Sequence, residues 1–289
     1  MRILLTGGTG FIGGELARVL RDRGDEVVLV SRKGPVTWAG VEAEVERADA
    51  VVHLAGEPVA DGRWTEERFG RIRASRIDTT ARLAGAMARA ARKPRVFVSG
   101  SAVGIYGTRR DDVVCDESTP AGSDALARVC VDWEQAATPA EGAGVRVAHP
   151  RIGIVLGKGG ALAKMAGPFR WFVGGPVGSG TQWVAWVHVR DVVRALVQMI
   201  DRDELAGAFD VCAPAPVTMN EFARAIGHAL GRPSAFRVPA VALRLALGEG
   251  LAETLLTGQR AVPRRLEAAG FSFDFPSLDA ALRDALGSV

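Results

Sequence analysis

The residues best placed to do chemistry stand near the start of the chain. Thr6-Gly7-Gly8-Thr9-Gly10-Phe11-Ile12-Gly13 concentrates glycine where an apolar run gives way to a helical pattern. Without a Cβ, the backbone at Gly7, Gly8 and Gly10 can turn tightly and bring its N–H groups up to an anion. Gly13 lets the helix lie close to the strand before it. The N–H groups of Thr9, Phe11 and Ile12 complete a cradle at the helix N-terminus. The ligand such a cradle takes is the pyrophosphate of a dinucleotide. A second candidate is Ser31-Arg32-Lys33, at the end of the next apolar run. In a dinucleotide fold this point meets the adenosine ribose, and an acidic residue there accepts from a free 2′-hydroxyl. Here the acid is missing. Arg32 can instead fork onto a 2′-phosphate, which predicts NADP over NAD. Leu54 and Ala55 close a third apolar run, where small residues let a cofactor lie against backbone. His53, inside that run, reads as a satisfied core histidine. Glu57 and Arg63 just beyond it suit substrate contacts and a surface ion pair equally.

Positioning these groups requires a parallel sheet. Ile3–Leu5, Glu26–Val30, Asp49–Gly56, Arg95–Ser99, Val145–Arg151 and Phe209–Cys212 read as strands. Between them, apolar residues recur at helical spacing after Gly13, over 65–92, over 124–141 and over 192–200. Strand alternating with helix predicts an α/β, Rossmann-type, doubly wound parallel sheet. After Gly157 the pattern changes. The stretch 168–186, rich in Gly, Pro and aromatics, reads as an irregular segment that covers a ligand or packs as a connector. Thr218-Met-Asn-Glu221 is a capping box, and Phe271-Ser-Phe-Asp-Phe275 alternates like a strand. The expected division is a Rossmann domain over 1–155 plus 184–213, with a small C-terminal α+β substrate-side domain over 156–183 plus 214–289.

Composition narrows the function classes. The 289 residues carry a net charge of only +3, without a block of like charge, which argues against nucleic acid as a partner. Three widely spaced cysteines form no Cys-x-x-Cys pair, so neither a disulfide framework nor a metal site is expected, and a reducing, cytoplasmic setting is. The apolar runs fall short of a membrane span. A monomer or homodimer acting on a small-molecule substrate fits these bounds.

The motifs together resemble the extended short-chain dehydrogenase/reductases, in particular the atypical NAD(P)-dependent epimerase family proteins with a C-terminal domain of unknown function. The resemblance rests on Thr6–Gly13, Leu54-Ala-Gly-Glu57, Asp61-Gly-Arg-Trp64, Ser75-Arg76, Ser101, Tyr106-Gly107, Asp132-Trp-Glu134, Gly174–Gly180 and Trp186–Asp191. It implies NADP at the carboxyl edge of the sheet, contacted by Ser31, Arg32, Leu54, Ala55, Arg76 and Val155. It also implies a Ser, Tyr and Lys triad, in which Tyr exchanges a proton with the substrate oxygen and Lys lowers its pKa. Ser101 matches the serine. Aligned on Glu134, however, the Tyr position holds Leu126 and the Lys position holds Cys130, and neither can run that relay. Tyr106, the chain's one tyrosine, is the candidate stand-in acid, so the catalytic candidates are Ser101 and Tyr106. Two readings stay open: an oxidoreductase or epimerase on an unidentified polar small molecule, or a non-catalytic NADP(H)-binding sensor.

Overall fold

A computed structural model of the chain describes residues 1–31 and 36–287. Arg32 and Lys33, the expected 2′-phosphate contacts, lie outside the described residues. Among those described, the central sheet contains β1 (Arg2–Thr6), β2 (Glu26–Val30), β3 (Ala50–His53), β4 (Val96–Ser99), β5 (Arg146–Ile152) and β6 (Gly207–Val211). They run parallel in the order β2-β1-β3-β4-β5-β6. The chain leaves β1 to one side for β2 and returns to the other side for β3. The crevice between β1 and β3 is therefore the topological switch point at which open α/β sheets bind ligands.

Alternation along the strands divides the apolar residues between two cores. Ile3 and Leu5 pack with Leu16 and Leu20 of α1 (Phe11–Asp22) and with Val192, Leu196 and Met199 further along the chain. Leu4, Val51, Phe97 and Val147 face the opposite side. They meet Val41 and Val45 of α2 (Val41–Arg47) and Leu83 and Met87 of α3 (Glu66–Arg89). Successive side chains of a strand point to opposite faces, so one short apolar run supplies both layers.

Several expected elements changed at their ends. The 124–141 helix breaks into α4 (Ala125–Gln135) and a separate short helix over Thr138–Gly142, at whose start Pro139 removes an N–H donor. Part of the stretch expected to be irregular is helical, as α5 (Gly160–Arg170), and Trp183–Val184 and Trp186–His188 form short strands. The helix after His188 is α6 (Val189–Asp201). The capping box is present at the start of α7 (Met219–Leu230), which Gly231 stops in the left-handed region at φ 61°. The C-terminal part carries α8 (Ala240–Leu247), α9 (Glu249–Leu256) and α10 (Leu278–Leu286). Phe271–Phe275 is not a strand. Its N–H groups at Asp274 and Phe275 donate to the buried Asp191 carboxylate at 2.8 and 3.0 Å, in place of a ladder. No described helix is long and apolar enough to cross a membrane.

Candidate cofactor and substrate site

The glycine stretch forms a tight loop between β1 and α1. Gly7 adopts φ 74°, and Gly10 N–H donates to Gly7 O at 2.9 Å. A Cβ on Gly7 would lie 2.6 Å from the Leu54 carbonyl carbon, and one on Gly13 would lie 2.2 Å from Gly7 O. One on Gly8 would meet Leu29 at 2.4 Å. Real Cβ contacts do not reach these values, so backbone packs on backbone across the switch point. Gly10 caps α1 without a side-chain bond, and the first turn holds no acid. The helical ladder starts with Gly14 N–H to Gly10 O at 2.8 Å, which leaves the N–H groups of Phe11, Ile12 and Gly13 without intrahelical acceptors. A cradle closed to Cβ atoms and supplied with free donors fits a pyrophosphate.

Ile12, Leu54 and Val155 are half-buried against one core. Phe11 places its ring on the loop after Val155: Cβ atoms on Gly157 and Gly160 would meet it at 2.7 and 2.8 Å. Ser31 N–H bonds to Val36 O at 3.1 Å at the tip of β2. Arg76 Nη1 donates to Glu57 O at 3.0 Å and Ile72 O at 3.1 Å, and its guanidinium stacks over Trp133 with 5.2 Å to the ring centroid. It thereby holds the loop after β3 against α3.

His53 is fully buried between Thr6 and Thr79, with Nδ1 2.5 Å and Nε2 3.0 Å from their hydroxyls. Thr79 already donates to Ser75 O at 2.7 Å, so it can only accept from Nε2–H, and Nδ1 accepts from Thr6. Burial, assisted by the Arg76 charge, holds the ring's pKa down at about 3. His53 stays neutral and serves to fix the β3 end on α3.

Ser101 and Tyr106 belong to a buried polar chain. Ser101 Oγ donates to Glu134 Oε1 at 2.6 Å, and Arg151 forks onto the same carboxylate, Nε to Oε1 at 2.8 Å and Nη2 to Oε2 at 2.9 Å. Arg151 Nη1 reaches Tyr106 OH at 3.1 Å, and that hydroxyl donates to Asp210 at 2.8 Å. Burial raises the Tyr106 pKa, and the Asp210 charge adds to the shift. Tyr106, expected as the stand-in acid, is 1% exposed and has its hydroxyl proton engaged by the Asp210 carboxyl. Leu126 and Cys130 occupy one face of α4 beside Gly104, at 3.4 and 3.9 Å from its ideal Cβ. Burial pushes the Cys130 thiol up to about 12, which keeps it neutral.

Leu126 also lines a cavity of about 380 Å³ with Trp64, Phe69, Thr108 and Gly250. Sequence reasoning passed over this cavity and the roles of Glu134, Arg151 and Asp210. The partners of the polar chain lie up to 104 positions apart, and a single charged residue at a strand end carries no local sign of them. Among the described residues no cluster of His, Cys, Asp and Glu is arranged to hold a metal.

Residues 3–212 match the NAD dependent epimerase/dehydratase family, and residues 238–285 match a domain of unknown function (DUF1731). Epimerase family protein SDR39U1 of Bos taurus is 40% identical over 99% of this chain and 100% of its own length. Epimerase family protein ML0860 of Mycobacterium leprae is 40% identical over 97% of this chain and 94% of its own. The crystal structure of human SDR39U1 isoform 2 with NADPH superposes with a TM-score of 0.93 at 36% identity, covering both chains fully. A nucleoside-diphosphate sugar epimerase from Corynebacterium glutamicum gives 0.83 at 31% identity, over 99% of this chain and 58% of that one. The Rossmann-type sheet, the glycine cradle at its switch point and the match over most of the length agree: this chain belongs to the NAD-dependent epimerase/dehydratase family.

Proposed function

We propose that the protein binds NADP(H) across the crevice between β1 and β3 and is an oxidoreductase or epimerase acting on a small-molecule carbonyl or alcohol. The observation that carries this reading is the cradle of Gly7, Gly8 and Gly13, closed to side chains and lined by N–H groups that have no intrahelical acceptor. The human relative crystallised with NADPH supports the choice of cofactor. When bound, the nicotinamide supplies or accepts hydride. The chain's own residues hold and orient: the α1 N-terminus takes the pyrophosphate, Ser31 and Arg32 the adenosine phosphate end, Leu54, Ala55 and Val155 the apolar faces, and Arg76 keeps the loop after β3 in place. Ser101, whose proton is committed to Glu134, retains a lone pair for a substrate hydroxyl. Leu126 and Cys130 exclude water from the place where the family's proton relay stands, so the substrate's proton comes from elsewhere than that pair.

Titration of NADPH and NADH into wild type and Arg32→Ala tests the cofactor assignment. Loss of charge-assisted bonds to the 2′-phosphate should cost about 1.5–3 kcal/mol for NADPH and little for NADH. Equal binding of both cofactors to wild type contradicts it. The apolar pair Leu126 and Cys130 also favours a second reading, a sensor that binds NADP(H) without hydride transfer. A panel of aldehydes and ketones separates the two: NADPH oxidation that falls in Ser101→Ala supports the enzyme, and tight NADPH binding without turnover supports the sensor.

A further inference from the structure

We propose that the cavity beside Leu126 takes an uncharged small molecule with an apolar body, an alkyl or aryl carbonyl compound, and rejects nucleoside-diphosphate sugars. This deepens the oxidoreductase reading and rests on it for the reacting group. The cavity, about 380 Å³, opens between the approach to α3, the start of α4 and α9. Its size suits a small ligand. Trp64 and Phe69 form one wall, their rings 5.4 Å apart between centroids, and Leu126 forms another. A Cβ on Gly250 would sit 2.9 Å from the Trp64 ring, so the backbone of α9 lies directly on the indole. The apolar wall continues to the position where the family's tyrosine would meet the substrate.

The polar lining is neutral or acidic. Thr65, Thr108 and Thr254 offer hydroxyls, Glu66, Asp124 and Glu253 offer carboxyls, and among the described residues no Arg, Lys or His lines the space. Asp124 is already committed, accepting N–H bonds from Leu126 at 3.0 Å, Ala127 at 3.1 Å and Thr108 at 2.7 Å. Nearby cations are engaged as well: Arg110 pairs with Glu253 at 2.5 Å, Arg244 with Glu249 at 3.1 Å, and Arg63 donates to the carbonyls of Leu245 and Ala246. A diphosphate entering here would give up its hydration beside three carboxyls with no guanidinium to receive it. A neutral ligand meets no such cost. Arg63 also ties α8, with Val241 and Leu245 exposed on it, to the loop carrying Trp64.

Calorimetric titration of 4-phenyl-2-butanone and of UDP-glucose into the full chain, with and without NADPH, tests this. The ketone should bind, and Leu126→Asn should weaken it about tenfold while NADPH affinity stays unchanged. Thr108→Arg, at an exposed position, guards against a misfolded core variant; it should weaken the ketone and admit UDP-glucose. UDP-glucose binding wild type as tightly as the ketone, no ketone binding at all, or ketone binding indifferent to both variants overturns the proposal. The NADPH titration is read separately. Its failure removes the cofactor reading, whereas the ketone isotherm without NADPH still reports on the cavity.

Discussion

The chain Ser101–Glu134–Arg151–Tyr106–Asp210 gathers ionisable groups in the interior, and the pKa values of its two carboxyls shift in opposite directions. Burial pushes Glu134 upward, but the bidentate Arg151 fork outweighs it and leaves the pKa lowered. Asp210 has no such fork. Burial, with the Glu117 charge, pushes it up to about 8 despite the Tyr106 hydrogen bond. In the unfolded chain Asp210 would titrate near the ordinary aspartate value of about 4. Between those limits the folded state holds a proton that the unfolded state has released, so stability from this group is full at low pH and is lost as pH rises toward 8. His53, held at about 3 by burial, contributes the opposite slope below its ordinary value, so only a difference between curves isolates Asp210. Asp210→Asn keeps an acceptor for the Tyr106 hydroxyl and cannot ionise. Relative to wild type, this variant should gain stability steadily from pH 5 to pH 8 in urea denaturation. A flat difference would show that Asp210 is ionised throughout.

At the scale of the element, the strand–turn–helix unit 2–22 carries the cofactor argument, and it makes a prediction of its own. Gly13→Ala places a methyl 2.2 Å from Gly7 O, where only backbone movement can relieve the clash. NADPH affinity should fall by more than about tenfold, along with thermal stability. Gly14 stands next in the same helix, but its Cβ would meet Gly8 O at an ordinary 3.7 Å. Gly14→Ala should retain binding and stabilise the helix by up to about 1 kcal/mol through helix propensity. Equal losses in both variants would mean that helix packing in general, not the cradle, sets affinity. This unit was legible in the sequence because its determinants are local: glycine where a Cβ would clash, β-branched and leucine runs for the strand, apolar residues at helical spacing for the helix. The same holds for β2 and for the capping box of α7. Phe271–Phe275 misled because its alternation of burial is real, while its N–H partners belong to Asp191, far away in sequence. α2 went unread because seven residues, with only Val41 and Val45 buried, are too short to show a helical period. The acidic lining of the cavity was invisible for a related reason: Thr108, Leu126 and Glu253 become neighbours only when the fold brings three separate segments together.

For the molecule as a whole, the question is whether the expected division into a Rossmann domain and a substrate-side domain describes two folding units. The cores argue otherwise. Leu266 and Phe271, from the C-terminal part, are buried in the same cluster as Ile3 and Leu5 of β1. Val184, Trp186 and Ala213, assigned to the first domain, pack with Phe222, Ala281 and Leu282 of the second. Arg260–Ala261 also pairs in parallel with Val114–Cys115 across the same boundary. Apolar contacts that cross a boundary in both directions make independent unfolding of either side expensive, because each would expose part of the other's core. The full chain should therefore unfold in a single calorimetric transition whose van't Hoff and calorimetric enthalpies agree. Saturating NADPH should move that transition upward as one peak, by about 2.7 kcal/mol of stabilisation at a hundredfold excess over Kd. Two resolved peaks, with NADPH shifting only one, would establish the C-terminal part as a separate domain and place the cofactor entirely on the other side of the boundary.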